Sequence, residues 1–357
     1  MSIARDMINM VLAPHTLAQK SNYLRYLLSG KKEMLHYDPV TISIVATGRC
    51  TLSCDMCPTH SGRVPGDYAH AQQSIKDMDL ARFKEIINRF KNAATVHIIG
   101  SGEPLLNKDF FKMVDYAALK KMTVKTFSNG TMIRKNIDNI LNSALDGITI
   151  SINGHNSEEF SRMTGMGPET YQEIYDSVRM LVEEKRRRSS SVKVKLSYII
   201  DRHNYKFIPY MVDVSIALGA DHSFFCNFLS APYDGLRAEE RSLMADKKVI
   251  DEMRAIFASY PAAIRRKLTP PLLVDRNMSE NNCETHFSQI RFDGDGNVSS
   301  CSMMLLNMSG HGSYKDENVW NNAFFKDMRR AFLSKDNCRI PDPCKVCPDN
   351  KGIRIGA

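Results

Sequence analysis

Thr41-Ile-Ser-Ile-Val-Ala-Thr-Gly-Arg-Cys-Thr-Leu-Ser-Cys-Asp-Met-Cys57 is the stretch on which the fold turns. Its first seven residues are mostly β-branched, so they predict a strand. The chain then passes at once into Cys50, Cys54 and Cys57, spaced C-x3-C-x2-C, in the loop beyond that strand. Downstream, the pattern alternates. Helices are expected near 79–90, 108–119, 135–144, 169–186 and 205–218. Strands are expected at 95–99, 123–127, 147–152, 192–200 and 221–225. Strands alternating with helices argue for βα units around a parallel sheet. With ligand-bearing loops after the strands' C-terminal ends, the expected class is α/β, a partial (β/α)6 TIM-like barrel.

Outside that core, residues 1–38 read as an N-terminal helical extension, with Leu12, Leu17, Tyr23, Leu24 and Leu27 among the apolar positions. The barrel is expected over 39–235, a helical linker over 236–279 (helix near 236–260), and a small C-terminal α/β domain over 280–357. Within the last, Ile290 to Val298 reads as a hairpin with a glycine-containing turn, followed by a helix near 319–333. A chain of 357 residues suits one large domain and a smaller one.

The net charge of +8 is mild and dispersed. It fits an anionic ligand without arguing for nucleic acid. The run Lys185-Arg-Arg-Arg188 reads as a solvated helix end. No apolar run is long enough to span a membrane and the start is no signal peptide, so a cytoplasmic location is expected. The nine cysteines are odd in number and clustered, which speaks against a disulfide framework.

Three thiolates as close in sequence as Cys50, Cys54 and Cys57 can converge on one metal centre. Structural zinc wants four ligands, whereas a cubane held by three leaves one iron open for a small chelating ligand. Further along, Gly100-Ser-Gly-Glu-Pro104 follows the second strand, Thr126-Phe-Ser-Asn-Gly130 the third, and Ile150-Ser-Ile-Asn-Gly154 the fourth. Taken in register with the cysteines, these segments resemble the radical S-adenosylmethionine superfamily over residues 41–227. The resemblance implies a [4Fe–4S] cluster on Cys50, Cys54 and Cys57, and S-adenosylmethionine held through Met56, Gly102, Glu103, Pro104, Ser128, Asn129, Ser151, Asn153 and Arg162. Met56 would pack on adenine, Glu103 would receive the methionine ammonium, and Arg162 would lie near the carboxylate. Asn153 stands where the family usually has Asp.

The second cysteine group is C-terminal. Cys283 and Cys301 flank the expected hairpin, and Cys344-Lys-Val-Cys347 adds a C-x2-C pair. Four thiols close either a tetrahedral zinc or a fully ligated iron–sulfur cluster. The C-x12-G-x4-C spacing, with Gly312-Ser and Val319-Trp-Asn321 beyond it, is similar to SPASM and twitch auxiliary domains, which implies one auxiliary [4Fe–4S] cluster. Cys226 reads as a small buried hydrophobe and Cys338 as spare or exchanging; neither has an assigned role. His60 is taken as solvent-exposed, Tyr233 and Asp234 as possible substrate contacts without discriminating spacing, and Trp320 as core.

The implied activity is hydrogen abstraction by a 5′-deoxyadenosyl radical, fed by a reducing partner such as flavodoxin or ferredoxin. The cysteine layout resembles that of 2-deoxy-scyllo-inosamine dehydrogenase. The leading expectation is therefore oxidation or rearrangement of a small polyhydroxylated or phosphorylated metabolite in natural-product biosynthesis. The alternative is a SPASM-type maturase acting on a peptide. Against it stand the roughly forty residues before the first strand, few for a peptide-recognition domain. A non-catalytic zinc-binding interaction protein is the reading from a different class.

Overall fold

The computed structural model describes residues 3–62, 64, 76–229, 238–302, 311–334 and 337–355. Tyr233 and Asp234 lie outside the described residues, as does the expected boundary at Gly235. Helices α1 (Ile3–Leu12) and α2 (Leu17–Ser29) precede β1 (Thr41–Thr47). There follow α3 (Leu80–Arg89), β2 (Thr95–Gly100), α4 (Phe110–Leu119), β3 (Thr123–Ser128), α5 (Ile133–Asn142) and β4 (Gly147–Ser151). Next come α6 (Ser157–Thr164), α7 (Pro168–Arg187), β5 (Lys193–Ile200), α8 (Ile208–Leu218) and β6 (His222–Asn227). The alternation expected from the sequence is thus present, with α6 as an additional helix.

The described strands of the main sheet run in the order β10-β9-β1-β2-β3-β4-β5-β6-β7. Every neighbouring pair is parallel except β9 (Gln289–Phe292) with β10 (Val298–Ser299). The hairpin expected at 290–298 is therefore real, and its first strand lies beside β1, continuing the barrel sheet. At the far edge, β7 (Leu268–Thr269) lies beside β6. A second, antiparallel sheet pairs β8 (Leu272–Val274) with β11 (Gly352–Arg354).

Burial alternates along the strands. Val96, Ile98, Val124, Ile148, Val194 and Leu196 are fully buried in one core with the helices. Each such side chain contributes about 1.5–3 kcal/mol. The intervening residues form the concave inner wall. Caps fix the helix starts: Asp79 accepts from the Arg82 N–H and Asn156 from the Glu159 N–H, worth about 1 kcal/mol each.

The helix expected over 236–260 is two. Helices α9 (Ala238–Arg241) and α10 (Lys247–Ala258) are separated where Asn227 bonds both the N–H and the carbonyl of Leu243. Beyond α11 (Ala262–Arg265) and α12 (Thr285–Ser288), α13 (Ala323–Leu333) returns the chain to the N-terminal region. There Trp320 donates to the Tyr37 carbonyl at 3.0 Å, and the fully buried Arg329 stacks on the indole at 4.2 Å. Arg329 donates to the carbonyls of His286, Glu33 and Trp320. Trp320 is core, as expected. The chain closes through α14 (Asp342–Lys345) and α15 (Pro348–Lys351). The basic end of α7 is paired with carboxylates: Lys185 with Asp221, Arg187 with Glu184, and Arg188 with Glu184 and Asp138. No helix among the described residues is long and apolar enough to cross a membrane.

Candidate active site

The three cysteines of the first loop sit at the C-terminal end of β1 and influence one another electrostatically. Burial, reinforced by the neighbouring thiols, pushes Cys54 up to about 12 and Cys50 in the same direction. The Cys50 and Cys54 thiols are thus protonated until a metal displaces the protons. Cys57 Sγ accepts from the N–H groups of Thr59 (3.4 Å) and His60 (3.3 Å), and Cys50 Sγ from Asn129 Nδ2 (3.5 Å). N–H donors aimed at sulfur suit a thiolate that carries iron. Among the described residues no three side chains cage a single ion, which a cubane, larger than one ion, does not require. The donor set fits a cluster held by three cysteines.

The loop after β2 is locked onto this one. Glu103 N–H donates to the Arg49 carbonyl at 2.8 Å. A Cβ on Gly102 would lie 1.9 Å from that same oxygen, so only glycine allows the approach. Gly130 sits at φ +90°, and a Cβ there would meet Ile174 at 2.7 Å.

Glu103 is fully buried. Its carboxylate accepts from Ser128 Oγ (3.0 and 3.1 Å), Asn129 N–H (2.7 Å) and Leu105 N–H (3.2 Å). Burial raises it to about 6 against those bonds. These bonds tie Ser128 and Asn129 to Glu103, the residue expected to receive a ligand ammonium. Asn129 also donates to Thr51 at 3.0 Å, tying β3 to the cysteine loop.

At β4, Ser151 Oγ meets Ser197 Oγ at 3.2 Å. Asn153, at φ +46°, accepts from the Ile199 N–H at 3.1 Å. Asn tolerates this left-handed backbone, so the residue serves as a turn. Arg162 is held by Glu159 through Nε and Nη2 at 2.8 Å and reaches Asp201 only at 3.4–3.5 Å. Its Nη1 faces the Asp201 carboxylate. His60, expected in solvent, is half-buried near the backbone of Gly48 and Ser101, with Nε2 unpartnered among the described residues. Its nearness to the cysteines was legible, its packing was not.

The C-terminal thiols also converge. Cys344 is raised by burial and then by Cys301, Cys347 and Cys283 together, and Cys347 is pushed up to about 12. Buried Asn350 joins the two segments, accepting from Cys283 N–H (3.3 Å) and donating to the Cys344 carbonyl (2.9 Å). Cys338 is exposed beside Lys345. None of the nine cysteines, all of them described, forms a disulfide.

Between the two thiol groups lies a cavity of about 460 Å³. Met56 and Pro58 wall it on one side and Pro348 and Asp349 on the other, with Phe224 and Cys226 between. Cys226 is not a buried hydrophobe. It is exposed to this cavity, where its thiol is pushed up to about 11 by desolvation and by the Asp349 charge.

A parallel barrel sheet with a three-cysteine loop at its C-terminal mouth defines an α/β enzyme scaffold built for an iron–sulfur centre. Residues 44–202 match the Radical SAM superfamily model. The chain is 25% identical over 185 residues to the mycofactocin maturase MftC of Mycolicibacterium smegmatis, covering 51% of this chain and 43% of that protein. It is 28% identical over 190 residues to the pre-heme d1 synthase of Dinoroseobacter shibae, covering 52% and 42%. The chain thus matches less than half the length of these curated relatives. The structure of SuiB from Streptococcus suis bound to the precursor peptide SuiA aligns with a TM-score of 0.62 at 16% identity, over 92% of this chain and 75% of that one. That likeness shows the shared fold.

Proposed function

We propose that this chain is a radical S-adenosylmethionine maturase that modifies a peptide side chain. The observation that carries the reading is the cavity between the two groups of thiols, walled by Met, Pro and Phe and open to Cys226 and Asp349. Relatives named as maturases, and a like fold solved with a precursor peptide, support a peptide over the small polyhydroxylated metabolite expected from the cysteine layout.

In this reading Cys50, Cys54 and Cys57 hold the first [4Fe–4S] cluster, and Cys283, Cys301, Cys344 and Cys347 an auxiliary one. With one electron from a low-potential reductant, a cluster and S-adenosylmethionine bound at the mouth would supply hydrogen-abstraction chemistry, S-adenosylmethionine being cleaved to methionine and a 5′-deoxyadenosyl radical. The protein's own contribution is placement. The backbone of Gly100 to Pro104, shaped by buried Glu103, faces the ligand's amino group, while Ser128, Asn129 and Ser151 line its path. Asn153 sets the turn beyond β4, and Arg162, held by Glu159 and Asp201, lies near the ligand's carboxylate. Met56 and the aromatic wall exclude water from the reacting side chain.

The test is anaerobic reconstitution, then dithionite with S-adenosylmethionine. Formation of 5′-deoxyadenosine, lost in Cys50→Ala, Cys54→Ala and Cys57→Ala, is expected; its absence in the wild type overturns the radical reading. Co-expression with short reading frames beside the gene, followed by mass spectrometry, tests the peptide. A mass change in a sugar or nucleotide instead would overturn that part.

A further inference from the structure

The inner wall of a parallel barrel is usually packed with branched apolar side chains. Here it carries a belt of bases. His97 on β2 lies opposite Lys125 on β3, Gly147 on β4 lies opposite Lys193 on β5, and Lys195 lies opposite His222 on β6. Gly147, which also pairs with Lys125, contributes no side chain and leaves room between the lysines. None of the concave-wall positions of β1 to β6 is Asp or Glu.

Lys125, Lys193 and Lys195 together line a cavity of about 380 Å³. Among the described residues none of the three ammonium groups makes a hydrogen bond or an ion pair. Asp146, which lines the same cavity, accepts from the Val124 N–H at 2.7 Å, and Asp221 accepts from the Val194 N–H at 2.7 Å and from Lys185. The crowding shows in the titrating groups. Burial, with Lys125 and Lys195 beside it, lowers His97 to about 4, and burial with Lys125 lowers Lys195. Asp221 offsets part of the Lys195 charge, and the excess of positive charge that remains in this concave wall focuses anions.

Lys195 brings this belt next to the candidate substrate cavity. The Lys195 ammonium lies 5.7 Å from the centre of the Phe224 ring, and Phe224 walls that cavity. Ile199, another wall residue, is four residues up the same strand from Lys195, about 13 Å at the rise of a strand. A lysine reaching up and an acidic side chain reaching down span that gap.

We propose that the barrel interior is a carboxylate site, in which Lys125 and Lys195, flanked by Lys193, hold an acidic side chain of the substrate peptide while a neighbouring residue occupies the cavity above. This rests on the peptide reading and specifies the peptide as acidic.

The test is binding by the reconstituted full chain, without reductant, of blocked hexaglutamate and hexaglutamine peptides and of inorganic phosphate. Hexaglutamate is expected to bind at least about tenfold tighter than hexaglutamine, as a difference of some 1.4 kcal/mol would give. The Lys125→Gln/Lys195→Gln double variant is expected to lose that preference, while Lys135→Gln/Lys248→Gln, exposed lysines elsewhere, keeps it. Should the double variant fail to fold, Lys193→Gln gives the same loss in smaller measure. Unchanged binding in the inner-wall variants overturns the site, and phosphate binding as tight as hexaglutamate overturns its assignment to a peptide carboxylate. Binding is read without turnover, so a wild type that binds hexaglutamate but forms no 5′-deoxyadenosine overturns the radical reading alone.

Discussion

The Asn129 backbone N–H donates to the Glu103 carboxylate at 2.7 Å, while the Asn129 side-chain amide reaches Cys50 Sγ at 3.5 Å. One buried acid thereby fixes the residue that steadies a cluster-loop cysteine. Removing it strands three buried donors, those of Ser128, Asn129 and Leu105. Glu103→Ala is expected to cost about 2–3 kcal/mol of stability, read from urea denaturation, and to weaken S-adenosylmethionine binding in calorimetry. Wild-type values on both measurements would show that Glu103 positions nothing.

Gly102 is expected to be intolerant for a different reason. A Cβ at this position collides with backbone, 1.9 Å from the Arg49 carbonyl oxygen, and no rotamer relieves it. Gly102→Ala must push the cysteine loop away from the loop after β2. A displacement near 1 Å at such a site costs about 10²-fold in rate. The measurement is the initial rate of 5′-deoxyadenosine formation at full iron loading. A variant that loads normally and turns over at wild-type rate would refute the clamp.

These two relationships differ in how far the sequence discloses them. The β-branched run of β1 and the cysteine spacing are local signals, and both the strand and the convergence of Cys50, Cys54 and Cys57 follow from them. Helix α6 had readable punctuation, an Asn156 N-cap and a left-handed Gly165 C-cap, but its short span gave a weak apolar period. What was not legible is what long-range packing decides. Asn227 breaks the helix expected over 236–260 from a different strand. Cys226 meets Asp349 only because the chain's end folds back over the barrel mouth. Glu103 was legible as a motif residue, yet its direction, inward to Ser128 and Asn129, depends on how β2 and β3 stack.

The crowding around His97 predicts an acid sensitivity. Its folded value near 4 lies below the ordinary histidine value, so between the two the unfolded chain binds the extra proton. Stability is therefore complete above about pH 6.5 and lost as pH falls toward 4, by roughly 2–3 kcal/mol for this group. Buried His286, lowered to about 3, acts in the same direction. Urea midpoints across that range should fall less steeply in His97→Gln than in wild type. Equal slopes would mean that His97 is not held neutral.

The C-terminal cysteines separate by their neighbours. Cys347 shares its surroundings with Cys283 and Cys301, whereas Cys338 stands exposed by Lys345. With an auxiliary cluster on the first group, Cys347→Ala is expected to lower iron from about eight to about four per chain, while Cys338→Ala leaves it unchanged. Loss of iron in the second variant would make Cys338 a ligand.

Arg291 gives the last prediction, because its sign reverses with loading. It is buried on β9 with Nε unpartnered among the described residues, and its negative neighbours are Cys301 and Asp293. Burial lowers it to about 10 even with Cys301 and Asp293 beside it, so in the iron-free chain the guanidinium is poorly compensated. Replacing such a buried charge with an apolar side chain of similar volume is often neutral or stabilising. Arg291→Met should therefore hold or raise the melting temperature of iron-free protein. With an auxiliary cluster on Cys301, the same guanidinium would face a cluster-bearing thiolate and favour the electron. Its removal should shift the auxiliary cluster's reduction potential to more negative values, followed by electron paramagnetic resonance during titration, with Arg291→Lys lying between. An unmoved potential in a fully loaded variant would leave Arg291 as packing alone.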